Sequence, residues 1–217
     1  HEFRTPLGII MSSAEILDRY FDRLTPSARR DQLTAIHQAV QRMAGLMENV
    51  LVLSRVEAGR LGFHPAPLAL GAFCARVAEE VHGAAPGSAP IEVDTNGVPA
   101  EAKGDENLLR HILINLLGNA VKYSPTGSPV KLRVSKDGEN GVFEVCDRGI
   151  GIPEADRDRL FTAFHRGANV GHISGTGLGL SIVKRCVELH GGRIRFEDAP
   201  GGGTIFTVVL PLFAKGA

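Results

Sequence analysis

The sequence predicts two domains: an all-α helical hairpin that forms a four-helix bundle as a dimer, followed by an α+β sandwich. Two observations support this division. Apolar residues recur every three or four positions in the first quarter of the sequence, and strand and helix patterns alternate after Pro65 and Pro67. The length of 217 residues accommodates two such domains. We therefore expect a boundary near 60–67, with a helical domain over 1–62 and a sandwich over 63–217.

Two helices account for the periodic segment. Thr25 and Pro26 mark the start of the second helix, because threonine caps helices and proline is tolerated at the first helical position; Gly59 and Gly62 end it. Each apolar stripe is only half covered by the other helix, so we expect a second copy of the chain to complete the bundle. The alternative is a hairpin that packs on the rest of the same chain. The predicted seams are Leu7, Ile10, Ala14, Leu17 and Phe21, then Leu33, Ile36, Val40, Met43, Met47, Val50 and Ser54.

The remainder of the sequence alternates between helix and strand patterns, with glycine-rich turns at Asp137-Gly138 and Gly201-Gly202-Gly203. This order predicts a mostly antiparallel sheet with helices on one face. The predicted helices span 70–84, 105–121 and 178–190, and the predicted strands span 91–94, 130–135, 142–147, 193–197 and 204–210.

Composition and charge exclude several classes of function. Lys plus Arg and Asp plus Glu both total 24, so no net charge favours nucleic acid, and no nucleic-acid partner is expected. The three widely spaced cysteines indicate neither a disulfide framework nor a zinc site, which fits a reduced, cytosolic setting. No apolar run reaches the roughly 18 residues of a membrane helix. Because the sequence opens on His1 rather than Met, we expect a fragment whose parent attaches to the inner membrane, if at all, through upstream regions, with this part on the cytoplasmic side.

A glycine-rich segment runs directly into the last predicted helix, as Gly175-Thr-Gly-Leu-Gly-Leu180. Closely spaced glycines let backbone amides approach a phosphate, and a helix N-terminus adds a partial positive charge. The segment matches neither the dinucleotide-binding nor the Walker pattern, and alone it is also typical of a tight turn. The predicted phosphate-binding residues are Gly175, Thr176, Gly177, Leu178, Gly179 and Leu180.

A carboxylate stands at the end of a predicted strand, in Asp147-Arg-Gly-Ile-Gly151. In that position, Asp147 can accept hydrogen bonds from an exocyclic amine. Gly149 and Gly151 then let the chain turn away from a bound ring. A strand-ending turn without a ligand is the alternative interpretation.

Two amides lie on one face of the predicted helix 105–121. Asn115 and Asn119 are four residues apart, and amide oxygens are hard ligands that suit Mg²⁺. Lys122 and Tyr123 follow, a cation that can offset phosphate charge and a ring that can stack on a base. The alternative is a polar stripe that faces solvent.

In this order and spacing, the motifs resemble those of the ATP-binding domain of bacterial sensor histidine kinases, within the histidine kinase, gyrase and Hsp90 family. Upstream, His1-Glu-Phe-Arg-Thr-Pro-Leu7 resembles the phosphoacceptor box of the dimerisation domain, so the resemblance covers essentially the whole sequence. The matching segments are 115–124 for the N box, 147–151 and 175–180 for the two glycine boxes, 161–164 for the F box and 201–204 for a last turn.

The resemblance implies that the sandwich binds ATP and Mg²⁺. The adenine would lie near Asp147, and the phosphates would lie against 175–180. Mg²⁺ would be held by Asn119 with help from Asn115. Thr204 belongs to the last turn of the same site.

The resemblance also implies a two-component protein-histidine kinase. A lid over 165–174 would close on the triphosphate, with Arg166 placed to meet the γ-phosphate. His1 would accept the phosphoryl group and pass it to a receiver-domain aspartate of a response regulator, which docks on the outer surface of the hairpin. Glu2 would orient the imidazole, and Thr5 would orient a water for a second, phosphatase activity.

Two other functions compete with this interpretation. ATP hydrolases of the gyrase and Hsp90 kind use a glutamate to activate water where this sequence has Asn115, and an amide cannot serve as that base. A catalytically silent scaffold, which binds nucleotide and a receiver without transfer, is the second alternative. An ATP titration without phosphate transfer would favour the scaffold.

Overall fold

The structure is a computed structural model with two compact units, residues 1–61 and 62–217, and this division lies one residue from the predicted boundary. The first unit is a pair of helices, and the second is a sheet with three helices. The part of the chain that the structure describes comprises residues 3–57, 62–84, 87–99, 101–171, 173 and 175–214.

The first unit is a hairpin of α1 (Arg4–Tyr20) and α2 (Pro26–Glu57). The Thr25 hydroxyl accepts a hydrogen bond from the Ala28 amide at 3.2 Å, so threonine caps α2 as the sequence predicts. Arg29 holds the connection between the helices. Its Nε donates to the Phe21 carbonyl at 2.8 Å, and its guanidinium lies 4.0 Å from the centre of the Phe21 aromatic ring.

Four of the five buried positions of the described hairpin are offset by one residue from the predicted seams, and the fifth, Val52, lies between the seam residues Val50 and Ser54. Pro6 and Ser13 are buried in α1, and Ala39 and Leu46 are buried in α2. The neighbouring seam residues Leu7, Val40 and Met47 are instead 46%, 51% and 55% exposed. A helix in a bundle has two neighbours, so its apolar stripe is wider than one seam, and periodicity alone does not say which neighbour each residue faces.

The described strands of the second unit are β1 (Ala66–Leu68), β2 (Ile91–Asp94), β3 (Ala102–Gly104), β4 (Val130–Asp137), β5 (Asn140–Cys146), β6 (Arg193–Asp198) and β7 (Thr204–Pro211). Five of them form a sheet of order β2-β4-β5-β7-β6, in which β2 and β4 are parallel and the other pairs antiparallel. Two further strands, β1 and β3, form a separate antiparallel pair. That pair was not predicted, because three-residue strands are too short to show an alternating pattern.

Three helices pack against the sheet and confirm the predicted α+β sandwich: α3 (Leu70–Ala84), α4 (Glu106–Tyr123) and α5 (Gly179–Leu189). Alternate strand residues such as Leu132, Phe143 and Val145 are fully buried, together with Leu113 and Leu117 of α4. Their burial is the main source of stability for the unit. Among the described residues, no helix is both long enough and apolar enough to span a membrane.

The start of α4 is fixed by the buried carboxylate of Asp105. One oxygen accepts hydrogen bonds from the Asn107 and Leu108 amides at 3.0 and 3.1 Å, and the other accepts from the His64 amide at 2.8 Å. The Asp105 amide in turn donates to Nε2 of His190 at 3.3 Å. A neutral imidazole is therefore part of the framework that positions α4, since a protonated Nε2 has no lone pair to offer.

We expect the second unit to lose stability as the pH falls below the ordinary histidine value of about 6.5. Burial lowers the pKa of His190, against opposing effects of the Cys186 carbonyl and the Asp105 charge. The unfolded chain thus binds the proton first, and the free energy of unfolding falls by at most about 1.4 kcal/mol per pH unit. In urea unfolding across this range, His190→Gln should flatten the dependence and the exposed control His82→Gln should retain it. An unchanged slope in His190→Gln would contradict the assignment.

Candidate nucleotide-binding site

The predicted motifs meet at the C-terminal half of α4. A Cβ atom on Gly149 would lie 2.7 Å from the Tyr123 carbonyl oxygen, and one on Gly179 would lie 2.5 Å from Oδ1 of Asn115. The Gly149 approach is to backbone, so no side chain fits at that position, and a side chain at Gly179 would have to displace the Asn115 amide. The glycines thus bring the loop after β5 and the start of α5 against the same helix.

Asp147 is 6% exposed, and one of its two carboxylate oxygens is fully engaged. Oδ1 accepts hydrogen bonds from the Gly149 amide at 2.8 Å and from the Thr204 amide at 3.1 Å. Burial raises the pKa of Asp147, and these two backbone hydrogen bonds act in the opposite direction. No described residue donates a hydrogen bond to Oδ2. That oxygen is therefore available to accept a hydrogen bond from a ligand amine.

Thr204 lies directly behind this carboxylate. Its carbonyl accepts a hydrogen bond from the Asp147 amide at 2.9 Å, in addition to the bond from its own amide to Oδ1. The preceding Gly203, at φ +98°, approaches the Asp147 backbone so closely that no side chain fits there. The contacts of Thr204 in the structure orient Asp147, so we propose that Thr204 supports the site from behind.

The two predicted amide ligands have different surroundings. Asn115 is half-buried and donates from Nδ2 to the His111 carbonyl at 2.8 Å, which leaves Oδ1 directed at the start of α5. Asn119, one turn further along α4, is also half-buried, and no described residue forms a hydrogen bond with its side chain. Asn119 is thus the amide with the greater freedom to bind a ligand.

Both amides provide the hard oxygen donors that suit Mg²⁺. The structure describes no group of three or more His, Cys, Asp or Glu side chains placed to hold a metal ion. A magnesium ion bound by amide oxygens alone would need additional oxygens from water and from substrate phosphates. The residues present therefore fit a cation that arrives together with a nucleotide.

Lys122 and Tyr123 contact each other at the end of α4. Nζ of Lys122 donates to the Tyr123 hydroxyl at 3.1 Å and lies 4.6 Å from the centre of the ring. A Cβ atom on Gly175 would lie 2.7 Å from the same Nζ. The lysine charge thus stands beside the first glycine of the 175–180 segment. Lys122 covers one face of the Tyr123 ring, where the sequence predicts stacking on a base.

The 175–180 segment forms the turn into α5. Gly177 has φ +69°, and its carbonyl accepts a hydrogen bond from the Phe164 amide at 2.9 Å. The Thr176 hydroxyl accepts one from the Leu178 amide at 3.1 Å, and the Leu178 side chain is buried in the core. Leu178 therefore anchors the segment, while Gly179 opens the helix whose N-terminal amides favour an anion.

The predicted lid segment, residues 165–174, includes a 3₁₀ turn over Ala168–Val170. Arg166 is exposed, and its guanidinium donates to the Ile173 carbonyl at 2.6 Å within the lid segment. Its predicted contact with the γ-phosphate stays a prediction. His172 and Ser174 lie outside the described residues. Sequence reasoning missed the contacts that secure this segment, because they join residues without a shared motif.

The phosphoacceptor box is described only in part. The predicted acceptor His1 and its neighbour Glu2 lie outside the described residues. Thr5 is exposed in the first turn of α1. The predicted role of Thr5 in orienting a water stays a prediction.

Comparison with known proteins identifies both units. Residues 1–59 match the His Kinase A (phospho-acceptor) domain, and residues 104–214 match the histidine kinase-, DNA gyrase B- and HSP90-like ATPase family. The circadian input-output histidine kinase CikA of Synechococcus elongatus is 36% identical over 217 residues, which cover 97% of this chain and 29% of CikA. The chain spans less than half of the length of the curated relatives that it matches.

Two solved structures have the same architecture. Full-length ShkA in complex with AMPPNP is 30% identical, with a TM-score of 0.68 over 100% of this chain and 45% of ShkA. The Acinetobacter baumannii histidine kinase AdeS has a TM-score of 0.71 over 98% of both chains, and its 23% identity supports the fold alone. The chain therefore belongs to the sensor histidine kinase family and comprises a His Kinase A (phospho-acceptor) domain and an ATP-binding domain.

Proposed function

We propose that this chain is the catalytic core of a two-component sensor histidine kinase, in which the γ-phosphoryl group of ATP is transferred to the imidazole of His1. The domains would be a dimerisation and phosphotransfer domain over 1–62 and a catalytic domain over 63–217. The observation that carries the proposal is the convergence of Asp147, Asn119 and the 175–180 segment around α4, in a chain whose first residues match the phospho-acceptor family.

Recognition of ATP would depend on opposite ends of this site. Oδ2 of Asp147, which accepts no hydrogen bond from a described residue, would accept one from the exocyclic amine of adenine. Lys122 and the backbone amides at the start of α5 would stabilise the phosphate charge. The AMPPNP bound to the similar ShkA supports a nucleotide of this class.

Asn119 and Asn115 would hold Mg²⁺ through their amide oxygens. When bound, the ion neutralises charge on the phosphate oxygens. Phosphoryl transfer has a loose transition state, so the protein contributes mainly positioning and electrostatic stabilisation. The ordering of Asn115 by the His111 carbonyl at 2.8 Å is one such positioning contact.

The transfer itself would form a bond between a ring nitrogen of His1 and the γ-phosphorus as the bond to the β-phosphate oxygen breaks and ADP leaves. A neutral imidazole supplies the lone pair, and Glu2 would accept the proton from the other ring nitrogen. We propose that the phosphoramidate then passes its phosphoryl group to an aspartate of a response regulator receiver domain. Thr5 would orient the water in a phosphatase reaction that reverses this modification.

Incubation of the chain with ATP labelled at either the γ- or the α-phosphorus tests the proposal. We expect label covalently attached to the protein from γ-labelled ATP and none from α-labelled ATP. Bound nucleotide without labelled protein would instead favour the silent scaffold. Release of phosphate without labelled protein would favour a hydrolase, against which Asn115 argues because an amide cannot act as a general base.

We also propose that the chain forms a homodimer through the hairpin, because a row of large apolar side chains lies exposed there. The proposal predicts that the double variant Val40→Glu, Met47→Glu raises the dimer dissociation constant by at least about 100-fold, since two carboxylates would be buried without partners. Light scattering measures the mass. The exposed large apolar residues of the described hairpin are Phe3, Leu7, Ile9, Met11, Tyr20, Phe21, Leu33, Val40, Met47, Val50 and Leu51.

The matched control for the dimer is Gln41→Glu, which adds a carboxylate at an exposed position of the same helix and should leave the dimer intact. Far-UV circular dichroism checks that every variant keeps its helices. A double variant that retains the dimer mass would contradict this interface.

A further inference from the structure

We infer that Asp156 is a positioning residue that holds the beginning of the lid segment next to the nucleotide site; this inference rests on the function proposed above. Asp156 lies in the 3₁₀ segment Glu154–Arg159, outside every motif that the sequence analysis identified. It contacts none of the residues assigned to ATP. Its effect must therefore act through the lid segment.

Both carboxylate oxygens of Asp156 face the lid segment, and Oδ2 accepts the hydrogen bond that is described there. Oδ1 lies 3.2 Å from Nε2 of His165, and Oδ2 accepts a hydrogen bond from the Ala168 amide at 2.8 Å. The side chains of His165 and Asp156 are only 11% and 12% exposed. A buried carboxylate is costly unless it is hydrogen-bonded, so loss of the Ala168 bond leaves an unfavourable charge, and His165 fills the space beside the other oxygen. The pair therefore favours one position of residues 165–168.

An unusual backbone turn at Phe164 places His165 beside this carboxylate. Phe164 has φ +63°, a conformation that is strained for an aromatic residue, and its side chain is 68% exposed. The Phe164 amide bonds to the Gly177 carbonyl at 2.9 Å, which joins the lid segment to the glycine turn before α5. Such strain persists only where surrounding contacts enforce it. The buried His165 contact with Asp156 and the Gly177 bond are the contacts that do so here.

The other side of the lid segment is tied to the loop after Asp147. Nδ2 of Asn169 donates to the Gly151 carbonyl at 3.0 Å and lies 3.3 Å from the Ile150 carbonyl. Asn169 directly follows Ala168, which Asp156 binds. The contacts of Asp156 thus set the position of a segment that connects the base end of the site to the phosphate end.

A purely structural role would have a different signature. Loss of general stability would weaken every ligand and lower the transfer rate as well. A positioning role in the lid segment affects ligands that carry phosphates, because Asp147 is fixed independently by the Gly149 and Thr204 amides. Adenosine, which lacks phosphates, is therefore the ligand that distinguishes the two roles.

The test compares Asp156→Asn and His165→Phe with the wild-type chain, by calorimetric titration of ATP and adenosine and by the rate of labelling from γ-labelled ATP. We expect each variant to weaken ATP about tenfold and to raise KM for ATP by the same factor, with less than about a twofold change in adenosine affinity and in kcat. The double variant should bind ATP no more weakly than either single variant, because both single substitutions remove the same contact between Asp156 and His165.

The matched control is Asp158→Asn, which removes the same charge from an exposed position in the same 3₁₀ segment and should bind ATP as the wild type does. Wild-type affinity for ATP in Asp156→Asn, or equal weakening of ATP and adenosine, would overturn the inference. A wild-type chain that binds neither ligand would overturn the proposed function itself, so the two failures are distinguishable.

Discussion

Asp147→Asn is expected to lower the affinity for ATP by about 30- to 1,000-fold, which corresponds to about 2–4 kcal/mol. An asparagine that keeps its oxygen toward the Gly149 and Thr204 amides must place its NH₂ group where Oδ2 stood. That group would face the exocyclic amine of adenine, so two donors would oppose each other. Calorimetric titration of ATP measures the loss.

The same variant is expected to prefer ITP over ATP. ITP carries a carbonyl where adenine has its amine, so the NH₂ group of the new asparagine would find an acceptor. Asp137→Asn, a change at the exposed last residue of β4, should leave the preference for ATP unchanged. Equal loss of affinity for ATP and ITP in Asp147→Asn would mean that Asp147 acts only through the fold, which contradicts contact with the base.

The elements that were predicted well are those whose pattern is local. The helices repeat their apolar residues every three or four positions, and β2, β4 and β6 alternate apolar and polar residues. β5 and β7 instead show a short run rich in β-branched and aromatic residues. The site motifs were predicted because glycine and asparagine are unusual at those positions. Gly149 is required by its close approach to the Tyr123 backbone, and a side chain at Gly179 would displace the Asn115 amide.

The features that escaped prediction depend on contacts between distant parts of the chain. Asp156 belongs to no motif, and only the folded chain brings its carboxylate to 3.2 Å from His165 at the start of the predicted lid segment. Likewise, the sequence cannot reveal that Arg166 bonds to the Ile173 carbonyl or that Lys122 covers the Tyr123 ring. Motifs identify the residue types that a site requires, whereas tertiary packing decides which partner each side chain finds.

The hairpin illustrates the same limit. Val40 and Met47 were correctly identified as apolar stripe residues, yet Ala39 and Leu46 beside them are the buried ones. Adjacent positions on a helix differ by about 100° in direction, so a small rotation of the helix exchanges which of them is covered. A sequence period has no information on that rotation.

His1→Gln is expected to reduce labelling from γ-labelled ATP to background while leaving ATP affinity unchanged. Glutamine has no ring nitrogen to attack phosphorus, and the residues proposed to bind ATP all lie beyond residue 100. His37→Gln is the matched control, because His37 is an exposed histidine of α2 in the same hairpin. The control should be labelled as the wild type is.

Chemical stability of the labelled protein, measured in the wild type and in His1→Gln, tests the central claim most directly. A phosphorylated imidazole is a phosphoramidate, so wild-type label should be lost in acid and retained in base. The account predicts that this acid-labile, base-stable label is absent from His1→Gln. Label of the same stability that survives the substitution would contradict transfer to His1.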